Sequence, residues 1–200
     1  MKDIMLSNFL NRLVLLEYIN STYSGGQGAE IGVASGCFSK QILDTWKTCS
    51  KLYCIDLWAH QDNDYNDGCN LSNQVQNVRY EQMQKDFKGN NKVFLIKEWS
   101  HIAANQFENE SLDFLYLDAN HSYKACLQDL NLWYPKVKKG GILAGHDYWD
   151  GPDESAGVKK AVNEFVKNNN IKLFTTLDEQ SSPKAVYPGW EGISYYFERI

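Results

Sequence analysis

The chain has 200 residues, 43% of them hydrophobic, and a net charge of −5. This length fits one domain with a sizeable core, and the acidic balance disfavours a nucleic-acid partner, because phosphates are bound by basic surfaces. The sequence has no apolar stretch near the roughly 20 residues that span a membrane and no apolar signal-peptide core at its start. We therefore expect a cytoplasmic protein without a membrane partner. The five cysteines include no CxxC pair, which argues against a disulfide framework or a zinc ribbon.

Strand and helix patterns alternate along the chain after a helix predicted within residues 1–24. Alternation indicates a parallel sheet covered by helices on both faces. The last two strands are joined by a polar loop, so the last strand can be antiparallel. We predict an α/β domain over residues 1–200, with a Rossmann-like, seven-stranded, mostly parallel sheet. The predicted strands are 29–33, 51–57, 92–97, 112–117, 142–144, 171–177 and 193–198, and the predicted helices are 5–20, 38–47, 73–88, 100–107, 123–137 and 158–167.

A glycine loop, Glu30-Ile-Gly-Val-Ala-Ser-Gly36, connects the first strand to the next helix. Glycines allow a backbone to approach a ligand closely, and the free N–H groups of a helix start can bind it. The G-x-G-x-x-G pattern of nicotinamide-binding loops is not met, because Ala34 and Cys37 replace two glycines. The segment fits better the looser E/D-x-G-x-x-x-G loop that holds S-adenosylmethionine (SAM). A plain tight turn is the alternative.

Two further segments are candidates for cofactor binding. Asp56 ends the second strand, 20 residues beyond Gly36, where an acidic side chain can accept hydrogen bonds from ribose hydroxyls. This argument supports any adenosine-bearing cofactor, and a helix-capping role for Asp56 is the alternative. After the third strand, Trp99 could stack on an adenine ring or belong to the core, and Ser100 could form a hydrogen bond to the adenine.

Asp118 and Asp147 follow the fourth and fifth strands, and His121 and His146 lie close to them in sequence. In an open parallel sheet, ligands bind beyond the carboxyl ends of the strands. Carboxylates there can hold a divalent cation, and a nearby histidine can act as a general base. Oxygen ligands suit Mg²⁺ or Mn²⁺, and a histidine ligand favours Mn²⁺, Fe²⁺ or Zn²⁺ over Mg²⁺. The alternative is that loops after strands are polar in any case.

The acidic segment Asp62–Gly68 resembles a calcium loop but has the wrong spacing. Its glycine stands at position 7 instead of 6, and position 12 is Asn73 instead of glutamate. Residues 59–88 are better interpreted as an inserted loop and helix that cover the acceptor pocket as a lid. We call residues 59–72 the lid loop.

From Glu30 to Tyr148 the chain resembles the class I SAM-dependent methyltransferases, particularly methyltransferase family 24. That family is similar to macrocin and other sugar O-methyltransferases and to metal-dependent catechol-type enzymes. The most specific part is Asp-x-x-His-x-Tyr followed by Gly-Gly and His-Asp-Tyr. The segments that carry the resemblance are 30–36, 53–58, 114–123, 129–133 and 140–148.

The resemblance implies a function and a set of residues. It implies SAM-dependent methylation of a small-molecule hydroxyl, on a sugar or a similar metabolite, with His121, Asp118 and Asp147 at the catalytic positions. Metal-dependent relatives have a carboxylate where His146 stands, so a Mg²⁺ or Mn²⁺ site at Asp118, His146 and Asp147 and a metal-free enzyme are both open. A SAM-binding domain without catalysis, an NAD-dependent oxidoreductase and a homodimer also stay open. The residues expected to bind the cofactor are Glu30, Gly32, Ala34, Ser35, Gly36, Asp56, Trp99, Ser100 and Asp118.

Overall fold

The computed structural model describes residues 6–62, 65, 67–151, 156–177 and 192–200. Strands and helices alternate up to the last two strands, as predicted. In chain order the elements are α1 (Arg12–Thr22), β1 (Gln27–Ile31), α2 (Cys37–Thr45), β2 (Lys51–Asp56), α3 (Asn73–Asp86), β3 (Val93–Lys97), α4 (Ser100–Ala103), β4 (Leu112–Leu117), α5 (Tyr123–Trp133), β5 (Val137–Gly145), α6 (Val158–Asn168), β6 (Phe174–Thr175) and β7 (Tyr195–Glu198).

The strands form one sheet in the order β3-β2-β1-β4-β5-β7-β6. The first five strands are parallel to one another, and β7 runs antiparallel to both β5 and β6. The predicted fold class is therefore confirmed. The strand order reverses between β1 and β4, which is the point where a crevice opens at the carboxyl ends of the strands in this type of sheet.

Each face of the sheet carries its own hydrophobic core. One core packs residues of α1, α2 and α3 against the sheet and includes the fully buried Trp46, Trp58 and Met83. The other packs α5 and α6 against the opposite face and includes Trp133 and Phe165. Burial on both faces explains why the central strands are almost continuously apolar.

Several element boundaries differ from those predicted. The first helix begins at Arg12, because the Asn11 side chain accepts hydrogen bonds from the N–H groups of Leu13 and Val14 and so caps it. Met5, the first residue of the predicted helix, lies outside the described residues. Helix α5 ends at Trp133 and continues as a 3-10 turn, because Pro135 cannot donate an N–H to an α-helix.

The fifth strand is longer than predicted, and the sixth is shorter. Gly140 was interpreted as part of a turn, but it adopts a φ of 76° inside β5, next to a register shift opposite Leu112 and Phe114. Such a bulge allows the strand to continue through an irregular residue. Strand β6 covers only Phe174–Thr175. No helix of the described ranges is long and apolar enough to cross a membrane.

Candidate active site

The glycine loop packs directly against the first residue after β4. Gly32 and Gly36 have φ angles of 87° and 74°, in the left-handed region that favours glycine. A Cβ on Gly32 would overlap the carbonyl oxygen of Asp118, and a Cβ on Gly36 would overlap the sulfur of Met83. The loop therefore needs both glycines, and it lies beside the loop that carries Asp118.

Ala34 and Ser35 form the outer part of the glycine loop. Ala34 has a φ of 48°, which a residue with a Cβ rarely adopts, and Ser35 is exposed just before α2. The start of α2 is consequently open to solvent at the edge of the sheet. Backbone N–H groups at such a helix start can bind anionic or polar ligand groups. Binding of the amino-acid end of SAM by this part of the loop stays a prediction.

Asp56, at the end of β2, stabilises the glycine loop by hydrogen bonds. One carboxylate oxygen accepts hydrogen bonds from the N–H groups of Val33 and Ala34, at 2.8 and 2.9 Å, and the other accepts from the N–H of Trp58 at 2.6 Å. Each oxygen of a carboxylate can accept more than one bond, so room for a ribose hydroxyl is left. Ribose binding by Asp56 stays a prediction.

Trp58 also stabilises the glycine loop, and it was not among the predicted site residues. Its side chain is fully buried, and its indole N–H donates to the carbonyl of Ala34 at 2.9 Å. Its backbone φ is 42°, a conformation that costs free energy for a large side chain. Its position two residues beyond Asp56, at a strand end, was the available signal.

Glu30 lies inside the protein, behind the glycine loop. Its side chain is 2% exposed, and it accepts a hydrogen bond from the hydroxyl of Ser39 on α2. Burial raises the pKa of the Glu30 carboxyl to about 8, although the Ser39 bond opposes the shift. The carboxyl therefore joins β1 to α2 in its neutral form at pH 7. Direct contact between Glu30 and a cofactor stays a prediction.

Ser100 and Trp99 follow β3, at the same edge of the sheet. The Ser100 hydroxyl donates to Asp129 at 2.6 Å and accepts from the indole N–H of Trp133 at 2.8 Å. Burial raises the pKa of Asp129 to about 7, against the opposing effect of the Ser100 bond. The hydroxyl thus has two partners inside the protein, and Trp99 is partly buried beside it. Adenine binding by either residue stays a prediction.

Asp118, His121 and Asp147 converge at the ends of β4 and β5. The Nε2 atom of His121 lies 3.4 Å from Asp118 and 3.3 Å from Asp147. One ligand atom from each of the three residues lies within 4.8 Å of the others, so they could hold a metal ion. Two carboxylates and an imidazole suit Mn²⁺, Fe²⁺ or Zn²⁺ better than Mg²⁺. We call these three residues the Asp-His-Asp cluster.

His146 is a buried neighbour of the two carboxylates of the Asp-His-Asp cluster. Its Nδ1 lies 3.3 Å from Asp147 and 4.0 Å from Asp118, and its side chain is 10% exposed. Its Nε2 is buried without a hydrogen-bond partner among the described residues. His146 lines a small cavity together with Cys126, Asp129 and Tyr195. The predicted cation site contained His146, whereas the geometry groups His121 with the two carboxylates.

The charges of the cluster are closely coupled. Burial acts to lower the pKa of His121, but hydrogen bonds to Asp118 and Asp67 and the charges of Asp118 and Asp147 outweigh it and raise the pKa to about 11. Burial acts to raise the pKa of Asp147, and the His146 bond and both imidazoles together lower it below its usual range. The carboxylates around His121 thus favour its protonated form, and a cation bound to them would oppose that form.

Asp147 itself is held in a strained turn. Its φ is 51°, an angle that aspartate tolerates better than most residues. Gly192 packs against it, and a Cβ on Gly192 would overlap a carboxylate oxygen of Asp147. The N–H of the following residue, Tyr148, donates to the carbonyl of Ile193 at 2.9 Å. Residues just before β7 therefore fix the position of this carboxylate.

The lid loop contacts the loop between β4 and α5. Asp67 lies 2.9 Å from Nδ1 of His121, the Tyr65 hydroxyl accepts from the backbone N–H of His121 at 3.2 Å, and Asn120 donates to Gln61 at 3.1 Å. The described residues of the lid loop thus lie beside His121, and its role as a lid over the acceptor pocket stays a prediction. Residues 63, 64 and 66 lie outside the described residues. Asp67 was not among the predicted site residues; the available signal was an acidic loop inserted next to the strand ends.

Comparison with known proteins agrees with this geometry. Residues 29–148 match the methyltransferase domain of methyltransferase family 24. The chain is similar to uncharacterized protein R132 of Acanthamoeba polyphaga mimivirus, with 32% identity over 101 residues that make up 48% of this chain and 44% of that protein. The match therefore covers less than half of the length of that relative.

Solved structures show the same fold at low identity. A SAM-dependent methyltransferase of Aquifex aeolicus has a TM-score of 0.60 and 14% identity, with 96% of this chain and 91% of that chain covered. A proposed caffeoyl-CoA O-methyltransferase of Staphylococcus aureus has a TM-score of 0.62 and 12% identity, with coverages of 98% and 86%. A spermidine synthase of Thermotoga maritima has a TM-score of 0.58 and 11% identity, with coverages of 96% and 57%. Because the matched domain spans residues 29–148, more than half of the chain, the protein belongs to methyltransferase family 24, within the SAM-dependent methyltransferases of class I.

Proposed function

We propose that the protein transfers the methyl group of SAM to a hydroxyl of a small molecule. The observation that carries this proposal is the contact between the glycine loop and Asp118. It places the expected cofactor loop directly beside the Asp-His-Asp cluster, so that a methyl donor and an activated acceptor would be neighbours. Methyl transfer depends mainly on such proximity and alignment.

In this proposal the residues at the carboxyl ends of the strands have separate roles. The exposed start of α2 would hold the amino-acid end of SAM, and Asp56 its ribose. A cation bound to Asp118 and Asp147 would favour the neutral form of His121. Nε2 of that neutral imidazole, which faces Asp118 and Asp147, would take the proton of the acceptor hydroxyl. A divalent cation held by Asp118 and Asp147 would supply positive charge that favours the deprotonated acceptor oxygen.

The surroundings of the Asp-His-Asp cluster favour a small, hydroxyl-rich acceptor. The side chains of the cluster are only 20–26% exposed, and the lid loop contacts the loop that carries them. Carboxylates accept hydrogen bonds from hydroxyl groups, so a sugar or a catechol-type compound suits them better than an anionic acceptor. The similar structure from Staphylococcus aureus, described as an O-methyltransferase, supports the same type of reaction.

Two experiments test the proposal. Calorimetric titration with SAM, S-adenosylhomocysteine and NADH should show binding of the first two only; binding of NADH alone contradicts the proposal. Transfer of a labelled methyl group from SAM is then measured on a panel of methyl glycosides, inositols and catechol. SAM binding without transfer to any member of the panel would favour the alternative of a SAM-binding domain without catalysis.

His121→Ala tests the assigned base on an acceptor from that panel. Loss of general base catalysis should lower the rate by about 10²–10⁴-fold while SAM affinity stays nearly unchanged. His101→Ala is the matched control, because His101 is exposed on α4, outside the Asp-His-Asp cluster. An unchanged rate in His121→Ala removes His121 from the base role.

A further inference from the structure

The lid loop supplies a carboxylate with a fixed position to the Asp-His-Asp cluster. One oxygen of Asp67 accepts from the N–H of Cys69 at 2.7 Å, and the other lies 2.9 Å from Nδ1 of His121. The Tyr65 hydroxyl also bonds to Asp67 and accepts from the backbone N–H of His121. Asp67 thus has three partners, and two of them belong to the lid loop.

Bonds within the lid loop hold this arrangement without help from His121. The Asn70 amide donates to the carbonyls of Gln61 and Tyr65, at 2.9 and 2.8 Å, and its oxygen accepts from the N–H of Gln61 at 2.9 Å. Asn70 therefore ties both ends of the segment that precedes Asp67. The Asp67 carboxylate therefore reaches Nδ1 of His121 from a loop that has hydrogen bonds of its own.

The two nitrogens of His121 face different groups as a result. Asp67 lies at Nδ1, and Asp118 and Asp147 lie at Nε2. A neutral imidazole carries its proton on one nitrogen only. The contact of Nδ1 with Asp67, at 2.9 Å, is shorter than the contacts of Nε2 with Asp118 and Asp147, at 3.4 and 3.3 Å, so Asp67 favours the form with the proton on Nδ1. In the neutral form of His121, which a cation bound to Asp118 and Asp147 would favour, the lone pair is then on Nε2, on the side of the ring that faces the cluster.

We propose that Asp67 is a positioning residue for His121, which it orients from the lid loop so that Nε2 is the reactive nitrogen. The inference rests on the proposed function, in which His121 is the base. In that reaction the acceptor proton moves to Nε2 while Nδ1 keeps its own proton. The acceptor oxygen forms a bond to the methyl carbon, the bond between that carbon and sulfur breaks, and S-adenosylhomocysteine leaves.

Under this proposal, the position of the lid loop and the orientation of His121 depend on each other. Asp67 and Tyr65 belong to the same loop that contacts Asn120 through Gln61. A displacement of that loop removes the carboxylate and the hydroxyl from His121 together. His121 is therefore fully oriented only while the lid loop is in place over the β4–α5 loop.

Nuclear magnetic resonance of the full-length protein labelled with ¹⁵N tests the proposal without a known acceptor. The imidazole signals of His121 are assigned with His121→Gln. The wild type should show a strongly deshielded Nδ1–H proton that exchanges slowly with water, and Asp67→Asn should lose it. Asp62→Asn is the matched control, because Asp62 lies in the same loop with a side chain that is 92% exposed, and it should keep the signal.

The outcomes are distinguishable. A signal that persists in Asp67→Asn, or that is absent from the wild type, overturns the role of Asp67. Loss of the signal in both Asp62→Asn and Asp67→Asn also overturns it, because the effect would then belong to the loop as a whole. Titration of the same samples with S-adenosylhomocysteine should give equal affinities. Failure of the wild type to bind it contradicts the proposed function, while the His121 signal still decides on Asp67.

Discussion

Gly32 and Asp118 are in direct backbone contact, although 86 positions separate them in the sequence. The contact exists because β1 and β4 are neighbouring parallel strands whose carboxyl ends lie side by side. It joins the loop expected to bind the cofactor to the loop expected to activate the acceptor. The spacing between the two halves of the site is therefore set by the strand pairing.

Gly32→Ala should destabilise the protein strongly. The new methyl group would overlap the Asp118 carbonyl, and the φ of 87° is unfavourable for alanine. Gly25→Ala is the matched control: its φ is 72°, but no atom lies within 4 Å of the added group. We expect a loss of about 1–2 kcal/mol for Gly25→Ala and more than about 3 kcal/mol for Gly32→Ala, measured by denaturant unfolding. Equal losses would show that the backbone contact adds nothing.

Asp56→Asn should separate the two roles of this carboxylate. Bracing of the glycine loop affects every ligand equally, whereas a bond to the ribose depends on the ribose hydroxyls. Affinities are measured for S-adenosylhomocysteine and for its 2′,3′-dideoxy analogue. We expect Asp56→Asn to weaken binding of the first by about tenfold, as for a lost bond to a charged group, and to weaken binding of the analogue less. Equal losses for both ligands leave Asp56 with the bracing role alone.

Mn²⁺ titration monitored by electron paramagnetic resonance should identify the cation ligands. Asp118→Asn and Asp147→Asn each remove a charged oxygen ligand and should abolish measurable binding. His146→Gln should reduce the affinity by no more than about 10–100-fold, the usual effect of a group that only supports a ligand. Lack of Mn²⁺ binding by the wild type would point to a metal-free enzyme. A loss in His146→Gln as large as that in Asp147→Asn would restore His146 to the ligand set.

Asp129→Asn should change the pH dependence of stability. The folded protein keeps the Asp129 proton up to a pKa of about 7, whereas the unfolded chain loses it near about pH 4. Between these values only the folded state holds the proton, so the free energy of unfolding falls by up to about 1.4 kcal/mol per pH unit as the pH rises. Asp129→Asn should remove this part of the slope in denaturant unfolding. Asp44→Asn, at an exposed position on α2, should retain it, and an identical slope in all three proteins contradicts the assignment.

The sequence was sufficient to predict the sheet and the convergence of its strand-end residues. Buried parallel strands are almost continuously apolar, so β1 to β5 were recognisable, and the polar residue that ends each run marks the carboxyl edge. Asp118 and Asp147 follow two such runs, and adjacent parallel strands bring them together. The convergence of Asp118 and Asp147 follows from the apolar runs of the two strands and from their parallel direction.

Other features depend on contacts that no local pattern reveals. The meeting of Asp67 with His121 depends on how an irregular loop folds back over the sheet. The contact of Nε2 of His121 with both Asp118 and Asp147 depends on the fold of the β4–α5 loop, and a ligand role for His146 stays a prediction. The start of α1 was placed too early, because apolar spacing extended beyond the cap at Asn11. In each case the interaction that decides the structure involves residues outside the apolar pattern on which the prediction was based.

Strand β7 lies between β5 and β6, and it comes from the last residues of the sheet to be synthesised. While the chain grows on the ribosome, β5 has an unpaired edge until Tyr195–Glu198 have emerged. His146 and Asp147 directly follow β5, and Gly192 fixes Asp147 from the segment before β7. A nascent chain that still lacks this segment thus has no Gly192 to pack against Asp147, and it exposes the unpaired N–H and C=O groups of β5.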